Sequence, residues 1–260
     1  MKKTEIIFFG NGPLSEYALN ILSKHFNIIF HAKTKEDLET VKELKRTHKN
    51  AYGVLASFGI IIKKDVLDSF EPEGILNIHP SLLPKYRGAS PIESAILNGD
   101  TDFSVSIMKL VPAMDAGPIY YQTTIKNPEL DKEYLYKILA ETGAKWLVDN
   151  IETLPAPIPQ DDKSATFTTK LEKSMGQLAP NQDSADKTLR KIIAFQNFPK
   201  PKYTFYNKTC IILKAHHPNP DETVLLPIIC ADKKKLSIDF LQPEGKKPMD
   251  VKSFLNGYAK

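Results

Sequence analysis

The sequence predicts an α/β fold, a doubly wound, mostly parallel sheet followed by a smaller second domain. Three observations carry that expectation. Through the first part of the chain, short apolar runs alternate with amphipathic stretches of helical period, the pattern that builds parallel sheets with helices on both faces. The chain has 260 residues and is 42% hydrophobic, enough for one large core or two small ones, and two are expected. Charge divides the chain as well. Residues 1–162 carry 18 Lys and Arg against 22 Asp and Glu, net −4, whereas residues 163–260 carry 17 against 9, net +8. An acidic half joined to a basic half implies a polyanion-binding module attached to something else.

Each element follows in order. EIIFFGNG is a short apolar strand running into a glycine turn, and PLSEYALNILSKHF places Leu14, Tyr17, Ala18, Ile21 and Leu22 at helical spacing. Gly10-Asn11-Gly12-Pro13 lacks the third glycine of a dinucleotide loop and carries a proline after the second, so it reads as a strand-to-helix turn. NIIFHA is a strand, KEDLETVKELKRTHK an amphipathic helix, and AYGVLASFG a further apolar strand. ILNIH ends at Pro80, which cannot donate to a central ladder. SLLPKYRGA is a loop. Ser90 as N-cap, Pro91 in the first turn, Glu93 closing a capping box and Gly99 beyond the end mark the next helix. FSVSIMKLV alternates as a strand, and PAMDAGPI is a Pro/Gly-bounded loop. In IETLPAPIPQDDKSATFTTKLEKSM the prolines at alternate positions suggest an extended linker.

Several classes are excluded or disfavoured. The IIFF run is too short for a signal peptide core, and no run approaches the length needed to span a bilayer, so no membrane association is expected. Cys210 and Cys230 form neither a disulfide framework nor a CxxC metal pattern. They read as buried free thiols in strands of a cytoplasmic protein. No metal is expected either: asparagine is a poor ligand for transition metals, and the adjacent His216 and His217 cannot both point one way from an extended chain.

The candidate chemistry lies in ILNIH. Side chains alternate along a strand, so Asn77 and His79 leave the same face, at the carboxyl edge where open α/β sheets bind ligands. The helix entered at Pro91 also directs backbone amides toward anything bound there. If the FSVSIMKLV strand neighbours ILNIH, Asp115 meets His79 at that edge. Taken singly, a histidine of this kind is more often a satisfied core or surface residue, and an aspartate before Ala-Gly a turn former. Ser81 lacks a GxSxG setting and reads as a loop residue.

NIHPSLLPKYRGASPIESAI followed by SVSIMKLVPAMDAGPI closely resembles the signature of the folate-dependent formyltransferases, in particular of those that act on methionyl-tRNA. The family's asparagine, the histidine of its HxSLLP motif and the aspartate of its DxG motif fall on Asn77, His79 and Asp115. ATFTTKLEK resembles the family's linker motif, and FLQPEGKKPMDVKSFLNG the closing strand, turn and helix of its C-terminal domain. The resemblance implies a Rossmann-like catalytic domain over residues 1–154, a linker over 155–179 and a smaller OB-like β-barrel C-terminal domain over 180–260. Compared with the family the chain is shortened. Almost nothing lies between HAKTK and EDLETV, where a longer basic segment is usual, and AFQNFPKP stands where a tryptophan is usual.

The resemblance further implies formyl transfer from 10-formyltetrahydrofolate to the amino group of charged initiator tRNA, with no obligate protein partner evident. Asn77 and His79 would donate to the developing oxyanion, and Asp115 would favour an imidazolium and accept the proton of the attacking amine. By position the folate pocket falls on Phe58, Gly59, Ile61 and Ile62, on the Ser81-Leu82-Leu83-Pro84 loop, and on Val111, Pro112, Ala113 and Met114 through their backbone. Arg87, Lys200, Lys202, Lys246 and Lys247 are the expected tRNA contacts, with Lys233, Lys234 and Lys235 behind them. Two other readings are formylation of an amino sugar nucleotide and an inactive folate- or RNA-binding protein. The basic second half favours tRNA over the former, and the intact trio argues against the latter.

Overall fold

The computed structural model describes residues 3–126, 128 and 130–259. It divides into two compact units. The first comprises Met1–Ile92 with Thr101–Thr169, and the second Glu93–Asp100 with Lys170–Lys260. The elements begin β1 (Glu5–Phe9), α1 (Pro13–His25), β2 (Asn27–Ala32), α2 (Asp37–Thr47), β3 (Tyr52–Leu55), α3 (Lys64–Asp68) and β4 (Ile75–His79). They continue with α4 (Pro91–Asn98), β5 (Phe103–Lys109), β6 (Ile119–Ile125) and α5 (Lys132–Asn150).

Among the described residues, the first unit holds a six-stranded sheet in the order β2-β1-β3-β4-β5-β6. The four strands from β2 to β4 are parallel and Rossmann-like. Strands β1 and β4 are almost fully buried, with Ile6, Ile7, Phe8, Phe9, Ile75, Leu76 and Ile78 at 0% exposure, so they read as continuous apolar runs rather than alternating ones. Phe9 meets Phe58 and Phe70 edge-on, at ring-centroid separations of 5.7 and 5.9 Å. Each such pair is worth about 0.5–1.5 kcal/mol beyond its buried area.

One strand, β5, runs against the other five in this mostly parallel sheet. β5 pairs antiparallel with both β4 and β6. Alternation in FSVSIMK fixes which face each residue occupies but says nothing of strand direction. The loop from β5 to β6 is also too short for a parallel crossover.

The segment read as a linker is partly a strap on this unit. Ile158 exchanges two backbone hydrogen bonds of 2.8 Å with Ile119 on the edge strand. Further on, Arg87 donates to the Thr166 carbonyl at 2.9 Å and accepts from the Thr168 N–H at 2.8 Å. The Ser90 hydroxyl, expected to cap α4, donates to the Thr169 carbonyl at 2.7 Å. α4 ends as expected at Gly99, whose φ of +82° suits a glycine after a helix.

The second unit contains α6 (Ala185–Ala194), β7 (Lys202–Phe205), β8 (Lys208–His216), β9 (Pro227–Ile229), β10 (Lys235–Pro243), β11 (Met249–Asp250) and α7 (Val251–Tyr258). Its antiparallel sheet runs β11-β10-β8-β7 with β9 on β10, and register shifts along β10 curl it. Phe205, Cys210, Ile212, Leu236, Ile238, Leu241 and Phe254 fill its core. Cys210 lies in β8 and Cys230 just beyond β9. Both are free and buried, and burial pushes both thiols up, away from the reactive thiolate. The neighbouring histidines diverge. His216 bonds Asp239 and Glu222, each at 2.9 Å, while His217 pairs with Asp186 at 2.8 Å.

Candidate functional site

Asn77 and His79 project from one face at the carboxyl end of β4 and are 5% and 4% exposed. His79 Nε2 lies 3.0 Å from the Tyr86 carbonyl oxygen. A carbonyl only accepts, so Nε2 carries a hydrogen there and Nδ1 is left facing Asp115 Oδ2 at 3.8 Å. The neutral ring therefore presents a lone pair toward the site, and only the imidazolium presents a donor. Asn77 Nδ2 donates to Asp115 Oδ1 at 3.4 Å, a long bond that uses one of its two amide hydrogens.

Asp115 reaches this edge by a route that strand direction alone would forbid. β5 runs antiparallel to β4 and delivers its last residue beside Leu76, at the amino end, but the loop 110–118 folds back. Its base is closed by Lys109 N–H donating to the Pro118 carbonyl at 2.9 Å. A Cβ on Gly117 would stand 1.7 Å from the Lys109 carbonyl oxygen, so only glycine permits that fold-back. At its tip Asp115 has φ +47°, a left-handed conformation that costs a non-glycine residue on the order of 1 kcal/mol. The Gly88 N–H donates to its Oδ2 at 2.8 Å and fixes the carboxylate.

A supporting network surrounds the trio. Gln160 Nε2 donates to the carbonyls of Asp115 and Gly117 at 2.8 and 2.7 Å. Its Oε1 accepts from Arg87 Nε and Nη2 at 3.0 and 2.9 Å. Beneath the SLLP loop, the wholly buried Ser106 hydroxyl donates to the Ser81 carbonyl at 2.6 Å and accepts from Leu83 N–H and Gln122 Nε2. Sequence reasoning missed Gln160, Gln122 and Ser106. The available signal was a polar residue set in an apolar strand or in a proline run.

The expected folate-pocket residues separate into two groups. Gly59, Ile61, Leu82, Pro112, Ala113 and Met114 are exposed, Ile61 at 88% and Met114 at 57%, and offer surface to a ligand. Val111 and Pro84 are half-buried. The side chains of Phe58, Ile62 and Leu83 are buried, Phe58 and Ile62 in the core with Phe9 and Val66, so a ligand would meet their backbone only. Ser81 is buried, and its hydroxyl donates to the Lys85 carbonyl.

Arg87 is a correction. Its side chain is 5% exposed and paired with Asp162 at 2.7 Å as well as with Gln160, so its guanidinium is not presented to a phosphate backbone. Composition reveals the charge but not the partner that absorbs it. In the second unit, Lys200, Lys246 and Lys247 are exposed and Lys202 is half-buried; Lys233, Lys234 and Lys235 are exposed.

A cleft of about 830 Å³ lies at the opposite sheet edge, between the amino ends of β1 and β3. It shares no residue with the trio, and two of its lining groups, Glu5 and His48, bond each other at 2.8 Å. Buried convergent polar groups make the carboxyl edge the candidate reactive one. Among the described residues, no group of three or more His, Cys, Asp or Glu side chains could hold a metal ion, and no helix is long and apolar enough to cross a membrane.

A model of the formyl transferase family matches residues 14–151, and one of the formyl transferase C-terminal domain matches residues 170–259. The methionyl-tRNA formyltransferase of Dictyoglomus thermophilum is 33% identical over 264 residues, covering 95% of this chain and 83% of that one. Among solved structures, HypX from Aquifex aeolicus in complex with tetrahydrofolic acid covers 100% of this chain and 48% of its own, with TM-score 0.74 and 16% identity. The methionyl-tRNA formyltransferase from Clostridium thermocellum gives TM-score 0.68 at 17% identity, covering 93% of this chain and 98% of that one. These two likenesses extend to the fold.

Proposed function

This chain belongs to the formyl transferase family, and from that premise we infer that it moves the formyl group of 10-formyltetrahydrofolate onto the amino group of methionyl-tRNA. The observation that carries the mechanism is the convergence of Asn77, His79 and Asp115 on one buried sheet edge. The amine nitrogen bonds the formyl carbon, the bond from that carbon to the folate nitrogen breaks, and negative charge grows on the formyl oxygen in between. The second amide hydrogen of Asn77 is the donor for that oxygen, joined by Nδ1–H of His79 in its charged form. Asp115, whose Oδ2 already accepts from Gly88, takes the proton released by the amine, and the departing folate nitrogen is reprotonated from there directly or through water. The exposed apolar loop ends at Ile61, Leu82 and Met114 suit the flat ring system of the folate.

The direct test supplies 10-formyltetrahydrofolate labelled in the formyl group together with either charged initiator tRNA or an amino sugar nucleotide. Label is expected on methionyl-tRNA. Label on the sugar nucleotide alone would move the assignment to that acceptor.

The finer assignments belong to the same proposal. The acceptor is the charged initiator tRNA, in the cytoplasm where translation starts, and the basic second unit binds it without an obligate protein partner. Lys246 and Lys247, exposed after Gln242-Pro243, are the leading phosphate contacts, with Lys200 and Lys202 behind them. Reversing Lys246 and Lys247 to glutamate should weaken tRNA binding and flatten the dependence of log Kd on log salt by about one unit per lysine. An unchanged slope would remove both residues from the interface.

A further inference from the structure

We propose that Gln160 is the positioning residue that holds Asp115 in its reactive conformation, coupling it through Arg87 to the loop that carries Gly88. The proposal rests on the catalytic reading of Asp115 given above. Gln160 spends its whole hydrogen-bonding capacity here. Both amide hydrogens go to the carbonyls of Asp115 and Gly117, at 2.8 and 2.7 Å, and both lone pairs of Oε1 go to Arg87 at 3.0 and 2.9 Å. The orientation of the amide is dictated by its partners, because carbonyls accept only and a guanidinium donates only.

One of the two carbonyls belongs to the left-handed Asp115 itself and the other lies two residues on, at Gly117, so the clamp grips the backbone from the point where it is strained. Its other end is Arg87, buried and anchored by Asp162 at 2.7 Å. The next residue, Gly88, donates to the Asp115 carboxylate. Arg87, Gln160, Asp115 and Gly88 thereby form a closed ring of side-chain and backbone contacts, and Asp115 is held from both its main chain and its carboxylate. Neither glutamate nor a shorter amide reproduces this. Glutamate keeps the acceptors for Arg87 but turns oxygen against two carbonyl oxygens, and asparagine is one methylene short.

The test compares Gln160→Ala and Gln160→Glu in the full chain, measuring formyl transfer to methionyl-tRNA, with KM for both substrates and Tm recorded. Both variants should lose about 10- to 100-fold in kcat, the scale of a misplacement near 1 Å, with each KM within about threefold of wild type. Gln160→Glu retains the Arg87 half of the clamp and keeps the protein folded if alanine does not. A Gln160→Glu enzyme with wild-type kcat would overturn the proposal, since it would reduce Gln160 to a support for Arg87. The same substitution is then placed in an Asp115→Asn background and followed by single turnover. A residue acting through Asp115 should cost less than about threefold there. An undiminished loss in that background would equally overturn it. Near-wild-type turnover of Asp115→Asn alone would instead refute the catalytic reading, a separate result.

Discussion

Asp115→Asn, Asn77→Ala and His79→Ala should each lower kcat by about 10²- to 10³-fold, the cost of losing one group that stabilises developing charge. The three substitutions remove different things. Asp115→Asn is nearly isosteric, leaves an oxygen to accept from Gly88 and gives up only the long 3.4 Å bond from Asn77, so it tests proton transfer with the loop held. Asn77→Ala deletes the amide proposed above as a donor to the formyl oxygen. His79→Ala also removes the ring N–H that the half-buried Tyr86 carbonyl accepts, an added cost to folding of about 0.5–1.5 kcal/mol. Its Tm should therefore fall while that of Asp115→Asn holds. Steady-state formyl transfer and thermal melts measured on the same preparations separate the effects. Near-wild-type turnover in Asp115→Asn or Asn77→Ala would refute the assigned roles.

Gly117→Ala should be the most damaging change of a residue that carries no chemistry. The new Cβ would lie 1.7 Å from the Lys109 carbonyl oxygen and 2.9 Å from its carbon, both backbone atoms with no flexible end to yield. Either the 110–118 loop opens or the end of β5 moves. Overpacking of this kind costs about 1–3 kcal/mol, a fall in Tm of roughly 2–12 °C for a chain of this size. Because Asp115 sits two residues away, kcat should drop by about 100-fold as well. Gly257 in α7 is the control: nothing lies within 4 Å of its would-be Cβ, and alanine there should be neutral or slightly stabilising. Equal behaviour of the two variants would mean that the fold-back is not confined in this way.

Much of this was legible in the chain. The apolar runs and helical periods of residues 5–79 became β1 to β4 with α1 and α2 in the expected order, while the short α3 went unforeseen, because local pattern decides the apolar runs and the longer helices. Asn77 and His79 were placed on one face by strand alternation and at the edge by Pro80. The pairing of β5 with β4 met the condition set for bringing Asp115 to them, but the loop that doubles back to do so is encoded by no periodicity. The direction of β5, the burial of Arg87 and the duties of Ser106, Gln122 and Gln160 are all tertiary. Each depends on a partner distant in sequence, as Arg87 and Gln160 are, 73 residues apart, and single-residue chemistry does not name such partners.

The strap across the site loop also sets the order in which the enzyme matures. Tyr86 and Arg87 take their partners at Gln160, Asp162 and Thr166, separations of 73 to 80 residues. As the chain is made, the last strand of the first sheet, ending at Ile125, emerges well before those partners exist. At roughly 5–20 residues per second the gap is about 2–8 seconds. A nascent chain thus carries a finished sheet with an unfinished edge, and closing so long a loop is an entropic cost met only by contacts made late. Competence for catalysis therefore follows the scaffold, acquired only once the chain has been made past Thr166.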